Sequence, residues 1–460
     1  EVVRMTRALR ASRRALHSEV VLRRRPAANQ PVCLSCFEPR PQPLPPRTPA
    51  PHEVLCRTVY LSVDPFLRCR FNASTGVEYT QPYALGEPIA SAGIGEVLQV
   101  GDAVRGLAPG DLVVEPFDSF PWQSVAVLEA AKVQRVPPLL ALLLPPSALL
   151  GACGQTGLTA WCGLETVGGG RPNGSDVVAV SGAAGAVGSL VGQLCKRRGA
   201  AVVGVCGSEA KVDFLQELGF DRALNRHSAD LRADLRAALL SVPQADRALG
   251  TSRSPQPADI TLYWDNVGGA VSDLVIQCMA PRSELLLCGQ ISTYDAEGDY
   301  PPPLPAESAA VVERRRIRRE RYTVVKYKHR FAPALAELCA LVAAEARRCG
   351  RRDAAPVGGR RPHARRHPPS GAARRGDGVR RARRGAGRLH RHDGRRQHGQ
   401  GCRAVLGAAA ARRACGCAAR LAPAGAEGTA RAVVCDARGV GRRVMPFFIL
   451  SARLRIRILG

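Results

Sequence analysis

No stretch of this 460-residue chain stays apolar for the length that a membrane-spanning helix needs. Leu139 to Leu144 comes nearest and runs straight into Pro145-Pro146. The sixteen cysteines lack the close spacing of a disulfide framework or a zinc ribbon. Cys33-x-x-Cys36 is a single pair, readable as two surface thiols or as a metal or redox pair. Cys153, Cys162, Cys195, Cys206 and Cys288 sit inside apolar or Gly-rich segments, where a free thiol behaves as a small hydrophobe. That usage implies a reducing compartment, the cytoplasm. The ends are short of acidic residues. The net charge of +27 comes from Arg in the first 25 residues and after Glu313, whereas residues 50–300 mix both signs. A basic charge so placed says nothing of nucleic acid or anionic lipid for the body of the chain.

What is present centres on Asp176 to Cys206. The apolar run Val177-Val178-Ala179-Val180 is followed by Ser181-Gly182-Ala183-Ala184-Gly185-Ala186-Val187-Gly188, and then by an apolar stripe at Leu190, Val191 and Leu194. After Gly199 a second apolar run extends to Val205. This order predicts strand, Gly-rich turn, helix and strand, one βαβ unit of a parallel sheet. Gly182, Gly185 and Gly188 recur every third residue, where small side chains let a backbone approach a pyrophosphate at a helix N-terminus. A βα turn without a ligand also uses glycine, and context favours the dinucleotide site. The adenosine end then falls on Cys206, Gly207 and the residues after them. There Glu209 would favour the free ribose hydroxyl of NAD, and Lys211 and Arg226 the 2′-phosphate of NADP. The two cations tip the reading to NADP.

Along the chain, residues 1–18 form an Arg-rich leader with Met5 inside it, readable as a mitochondrial presequence or as translated leader or misassigned exon. Residues 19–150 carry strands broken by Gly and Pro turns, a compact β-rich domain. Within it, Glu19 to Val32 reads as a strand-like start and the following residues to Pro51 as Pro-rich linker. Residues 151–310 form the nucleotide-binding domain, with further strands at Ile260–Tyr263 and Leu285–Cys288. Residues 311–345 return to the first domain, and 346–460 are an Arg/Ala/Gly/Pro-rich tail, expected to be disordered.

Several separate motifs carry a resemblance. Tyr60 to Arg70, Gly157-Leu158-Thr159-Ala160, Ser181 to Gly188, Asp265-Asn266-Val267-Gly268-Gly269 and Cys288-Gly289-Gln290-Ile291-Ser292-x-Tyr294 resemble the zinc-independent medium-chain dehydrogenases/reductases. The likeness spans roughly residues 50–340. It implies a GroES-like catalytic domain, a Rossmann doubly wound parallel sheet, and NADPH-dependent reduction of the carbon–carbon double bond of an α,β-unsaturated ketone. A small lipid enone is the implied substrate, and a monomer or homodimer the implied assembly. The sequence agrees on the metal: neither a Cys/His/Glu catalytic set nor a four-cysteine lobe is evident. The carbonyl oxygen then needs hydrogen-bond donors. The resemblance assigns that role to Tyr79 and Tyr294, either of which, from the residues alone, could be an ordinary half-buried aromatic. It further implies that Gly182, Ala184, Gly185, Ala186, Val187, Gly188, Cys206, Gly207, Lys211 and Arg226 line the dinucleotide. Asn266, Cys288, Gly289, Gln290 and Ile291 would flank the nicotinamide beside Tyr294, with Tyr322 and Val324 near it. The chain departs from the family pattern at Gln155-Thr156 (Met-Pro in relatives), at Arg226 (a tyrosine) and in the extra residues 244–257.

After Glu345 apolar periodicity fades and the family's closing motif, Ala-Ala-Phe-x-x-Met-Met-x-Gly-Gly-Asn-x-Gly-Lys, is missing. Three readings follow: a nucleic-acid-binding tail, an inactive cofactor-binding relative, or a slipped coding frame. Back-translation favours the slip. Read one base later, Leu389 can give Phe, His392 Met, Asp393 Met or Thr, Arg395-Arg396 Gly-Gly, Gln397 Asn and Gln400 Lys. Sequencing the transcript across codons 345–403 is expected to show a single-base offset from the relatives; an unbroken match of transcript to this frame rules the slip out.

Overall fold

The computed structural model describes residues 16–43, 48–76, 80–166, 172–242, 259–296 and 300–353. The leader before residue 16, Tyr79, the extra residues 244–257 and the tail from 354 onward lie outside the described residues.

The first half is β-rich. β1 (Leu16–Leu22) pairs antiparallel with β2 (Phe37–Pro43). A five-stranded antiparallel sheet follows, built from β3 (Glu53–Leu61), β4 (Ala90–Val100), β5 (Leu112–Pro121), β6 (Val125–Glu129) and β7 (Gln134–Arg135) in the order β6-β3-β4-β5-β7. Its core is a glycine-for-aromatic exchange: a side chain on Gly93 would begin 2.4 Å from Cγ of the fully buried Phe120. The Pro-rich linker expected before Pro51 is corrected in part, because β2 lies inside it. Pro39, Pro41 and Pro43 share one parity, opposite Val20, Ser18 and Leu16, so the N–H groups they lack all fall on one edge. Proline is tolerated in an edge strand on those terms.

The second half is a six-stranded parallel sheet: β8 (Val177–Ser181), β9 (Ala201–Cys206), β10 (Arg222–Asn225), β11 (Ile260–Asp265), β12 (Met279–Leu287) and β13 (Arg318–Arg321). The order is β10-β9-β8-β11-β12-β13, the doubly wound arrangement, with its reversal between β8 and β11. Every residue of β8 and of β9 is buried, which explains why both read as unbroken apolar runs rather than alternating ones. Helix Gln155–Thr166 covers one face together with helix Ala186–Arg197, and Trp264 fills the space left by Gly163, where a side chain would start 2.3 Å from the indole. Helix Phe331–Asp353 returns to the first half, its Phe331 ring 6.2 Å from Phe117.

The helix after the glycine turn is held to the sheet by contact at Gly192, whose absent side chain would lie 1.9 Å from Cζ of buried Phe220. Gly192→Ala therefore sets about 1 kcal/mol of helix propensity against about 1–3 kcal/mol of overpacking. The Phe220 ring is buried, so overpacking is expected to outweigh the propensity gain. A lower thermal midpoint with unchanged helical circular dichroism is expected; an equal or higher midpoint shows that Phe220 yields.

Candidate active site

At the C-terminal ends of β8 and β11 the chain builds a crevice around one carboxylate. Asp265 is fully buried. Its Oδ1 accepts from Ser181 Oγ at 2.8 Å, Tyr263 Oη at 2.8 Å, and the N–H groups of Val267 and Gly268 at 3.0 Å, while Oδ2 accepts from Ser272 Oγ at 2.9 Å. Ser181 in turn accepts from the Asn266 N–H at 2.9 Å, and Asn266 Nδ2 donates to the Ser181 carbonyl at 2.8 Å. Asn266 Oδ1 also accepts from Trp264 Nε1 at 3.2 Å. The Asn266 carboxamide thus clasps the two strand ends together.

The glycine turn rises from the end of β8. Gly182 has φ +58°, a left-handed conformation that glycine adopts without strain, and it lies against Asn266 and Val267. Gly188 passes so close beneath it that a side chain would begin 2.5 Å from the Gly182 carbonyl. Gly185 caps helix Ala186–Arg197, whose first turn holds no acidic residue. The N–H groups of that turn have no partner within the helix, and the positive end of the dipole faces the crevice. Ala184, Ala186, Val187 and Gly188 stand in this turn and at the start of the helix.

At the far end, Cys206 is buried and its thiol points to the carbonyls of Ser208 and Leu224, with burial pushing its pKa up. The free backbone space is at Gly207, above which Arg226 Nε lies 3.5 Å from where a side chain would start. Lys211 stands in the first turn of helix Glu209–Glu217. Glu209, the acidic competitor, is occupied by Asn225 Nδ2 at 2.7 Å. The strand end therefore places Lys211 and Arg226, whose Nε donates to His227 Nε2 at 3.2 Å, beside an acid held by Asn225, an arrangement that suits a ribose phosphate.

The near end is a loop stapled to Asp265. The Cys288 and Gly289 N–H groups donate to the Asp265 carbonyl at 2.9 and 3.1 Å, Ile291 N–H to Asn266 at 3.2 Å, and Ser292 N–H to Val267 at 3.0 Å. Burial pushes the Cys288 thiol up to about 12. Gln290 is buried against Gly268, and its Oε1 has no hydrogen-bond partner among the described residues. An acceptor left open at this point fits the donor of a carboxamide such as that of nicotinamide. Tyr294 closes the loop. Its Oη lies 2.7 Å from where a Gly289 side chain would begin, so only glycine lets the phenol cross the end of β12.

The sequence missed Tyr300. Its ring lies 5.8 Å from that of Tyr294, and its hydroxyl accepts from the Gln290 N–H at 3.1 Å. Burial first, and Tyr300 second, push the Tyr294 pKa up, so the phenol keeps its proton. The signal available was Tyr300-Pro301-Pro302-Pro303, a rigid run that fixes a ring beside the loop. Tyr322 and Val324 are core residues: Tyr322 Oη donates to the Thr159 carbonyl at 2.9 Å and its ring meets Trp264 edge-on at 5.8 Å. They back the crevice wall.

With this geometry in view, the comparisons are specific. The model for the N-terminal domain of oxidoreductase matches residues 18–136, and that for zinc-binding dehydrogenase matches residues 186–338. The Bacillus subtilis (strain 168) protein YfmJ, whose name places it among NADP-dependent oxidoreductases, is 35% identical over 303 residues, 66% of this chain and 79% of its own. Prostaglandin reductase 1 of Rattus norvegicus is 32% identical over 304 residues, 64% of this chain and 78% of its own. The chain belongs to the zinc-independent medium-chain dehydrogenase/reductase family. CurA of Vibrio vulnificus, solved in complex with NADPH, superposes with TM-score 0.58 at 28% identity, covering 72% of this chain and 89% of CurA. The two family models thus fall on the β-rich and the nucleotide-binding halves, and among the described residues no group of three or more His, Cys, Asp or Glu converges.

The Asp265 clasp is a folding element first. Asp265→Ala leaves five donors buried without an acceptor, and a loss of about 3–5 kcal/mol is expected from the urea midpoint. A loss below about 1 kcal/mol means that the strand ends are held by something else.

Proposed function

We propose that this chain is an NADPH-dependent reductase of the carbon–carbon double bond of α,β-unsaturated ketones, with 15-keto-prostaglandins as candidate substrates. One observation carries the reading. A protonated, half-buried phenol, Tyr294, crosses a glycine at the C-terminal end of β12. A group so placed can donate to a carbonyl oxygen lying against the nicotinamide end of the crevice. The finer substrate assignment rests on Tyr300 to Leu304 and Arg319 to Tyr322, which resemble the prostaglandin reductase 2 sequence, and on the similarity to prostaglandin reductase 1.

The residues divide the work by position. Helix Ala186–Arg197 and the turn from Gly182 to Gly188 would hold the pyrophosphate, and Lys211 and Arg226 the ribose phosphate. Gln290 Oε1 would orient the carboxamide. NADPH, when bound, supplies the hydride equivalent that reduces the β-carbon. Tyr294 would hold the enone oxygen by a hydrogen bond that strengthens as charge gathers there. This selectively lowers the barrier, because the bond is stronger in the transition state than in the ground state. Tyr300 would fix the Tyr294 hydroxyl, its own position set by the Gln290 N–H. Tyr79 remains a second candidate donor.

Two measurements test this. Loss of nicotinamide absorbance with 15-keto-prostaglandin E2 is expected with wild-type protein, and Tyr294→Phe should cut kcat by about 10²–10³, the cost of one oxyanion donor. Unchanged turnover removes Tyr294 from the reaction. NADPH should bind more tightly than NADH, and Lys211→Ala should weaken NADPH roughly tenfold while leaving NADH alone, as a lost charged hydrogen bond requires. Equal weakening of both cofactors assigns Lys211 to folding rather than to the phosphate.

A further inference from the structure

The pair at Cys33 and Cys36 takes no part in the crevice. A short 3₁₀ turn, Leu34–Cys36, connects the two cysteines and presents their sulfurs to one another 3.4 Å apart. The two environments are opposite. Cys33 is exposed beside an exposed Leu34, whereas Cys36 is fully buried among Val20, Leu22, Phe37, Phe71 and Trp122. The sequence reading of two surface thiols is therefore half right. The Cys33 sulfur lies 3.1 Å from Ser35 Oγ and accepts from Arg24 Nη2 at 3.5 Å. Among the described residues no third His, Cys, Asp or Glu joins the pair.

We propose that Cys33 and Cys36 form a peroxide-sensitive dithiol, with Cys33 as the attacking sulfur and Cys36 as the resolving one. The Cys33 thiolate attacks one oxygen of a hydroperoxide; an S–O bond forms, the O–O bond breaks, and the leaving oxygen takes a proton as water or alcohol. The Cys36 sulfur then attacks the Cys33 sulfenic acid. The S–S bond forms, the S–O bond breaks, and a second molecule of water carries away the Cys36 proton. Two thiols are oxidised to one disulfide, and one peroxide is reduced.

The surroundings support this division of roles. The Ser35 hydroxyl, then Cys36 and the Arg24 guanidinium, stabilise the Cys33 thiolate and bring its pKa down to about 7, while burial raises that of Cys36. An exposed, low-pKa thiol beside a buried partner is the arrangement of a reactive cysteine with its resolver. At pH 7 half of Cys33 is thiolate, against about 1% for a thiol of pKa 9; the lower nucleophilicity of the weaker base returns part of the gain, leaving roughly a sixfold advantage. The position is also connected. Gln30, three residues earlier, accepts through its carbonyl from Arg68 Nη2 at 3.1 Å, and Arg68 Nε donates at 2.6 Å to Asp295, the neighbour of Tyr294.

Reduced full-length protein treated with equimolar hydrogen peroxide at pH 7, then alkylated and digested, tests the proposal. The peptide containing Cys33 and Cys36 is expected to lose two hydrogens and to escape alkylation. Cys36→Ser should instead accumulate a sulfenic acid at Cys33, trapped by dimedone. The rate at Cys33 should rise to a plateau above pH 8, and Arg24→Gln should move that rise upward. Wild-type peptide that keeps both thiols, a Cys33 rate no greater than that of Cys69, or disulfides found only between two chains overturns it.

Discussion

A single buried carboxylate governs this molecule. Asp265 could not be left in the interior without donors, since an unpaired buried charge costs several kcal/mol. The five groups that satisfy it come from β8, from β11 itself, from the turn at Val267 and Gly268, and from helix Gly269–Ile276 at Ser272. The demand for hydrogen bonds thus closes the switch point of the sheet. Because the strand order reverses there, the same closure produces the crevice. The glycine turn and the 288–294 loop lie on either side of it, each tied to the clasp, Gly182 by contact with Asn266 and Val267 and the loop by backbone bonds to residues 265–267.

Rigidity at this point has a chemical consequence. The Tyr294 hydroxyl can act as a donor only if it stays protonated and stays in place. Burial secures the first by disfavouring the phenolate. The second comes from Tyr300, from the stapled loop and from the glycine at 289, which removes the one side chain that would deflect the ring.

Much of the fold was legible because its strongest signals are local. The fully buried strands β8 and β9 had to be apolar throughout, and the turn between them had to be glycine where a helix passes a carbonyl at contact distance. β2 was hidden because proline usually argues against a strand, and only the register shows that its prolines share an edge. The same limit applied to the site. Lys211, Arg226 and the loop from Cys288 could be placed from strand ends, whereas the role of Tyr300 depends on a ring meeting another ring across the loop, which no spacing encodes. Tyr322 shows the converse: its motif drew attention, yet its hydroxyl is committed to the Thr159 carbonyl.

The β-rich half meets the nucleotide-binding half through a shared apolar core, in which Tyr60 and Ile94 are buried in one cluster with Val180 and Trp264, and through charge. Arg68 follows the Asp64-Pro65 turn of the first half and is largely buried, and it holds Asp295 from the nucleotide-binding half and Asn72 and Gln30 from its own. An arginine suits this because its planar fork can serve three acceptors at once, where a lysine ammonium would leave the geometry loose. Arg25 repeats the device nearby, donating to the carbonyls of Phe71, Asn72 and Tyr83. These guanidinium contacts fix the segment from Leu67 to Asn72 against both the Cys33 loop and the Tyr294 loop. The two halves therefore meet the crevice as one hydrogen-bonded frame, and a change in the β1–β2 connection lies only a few bonds from the phenol proposed to hold the substrate.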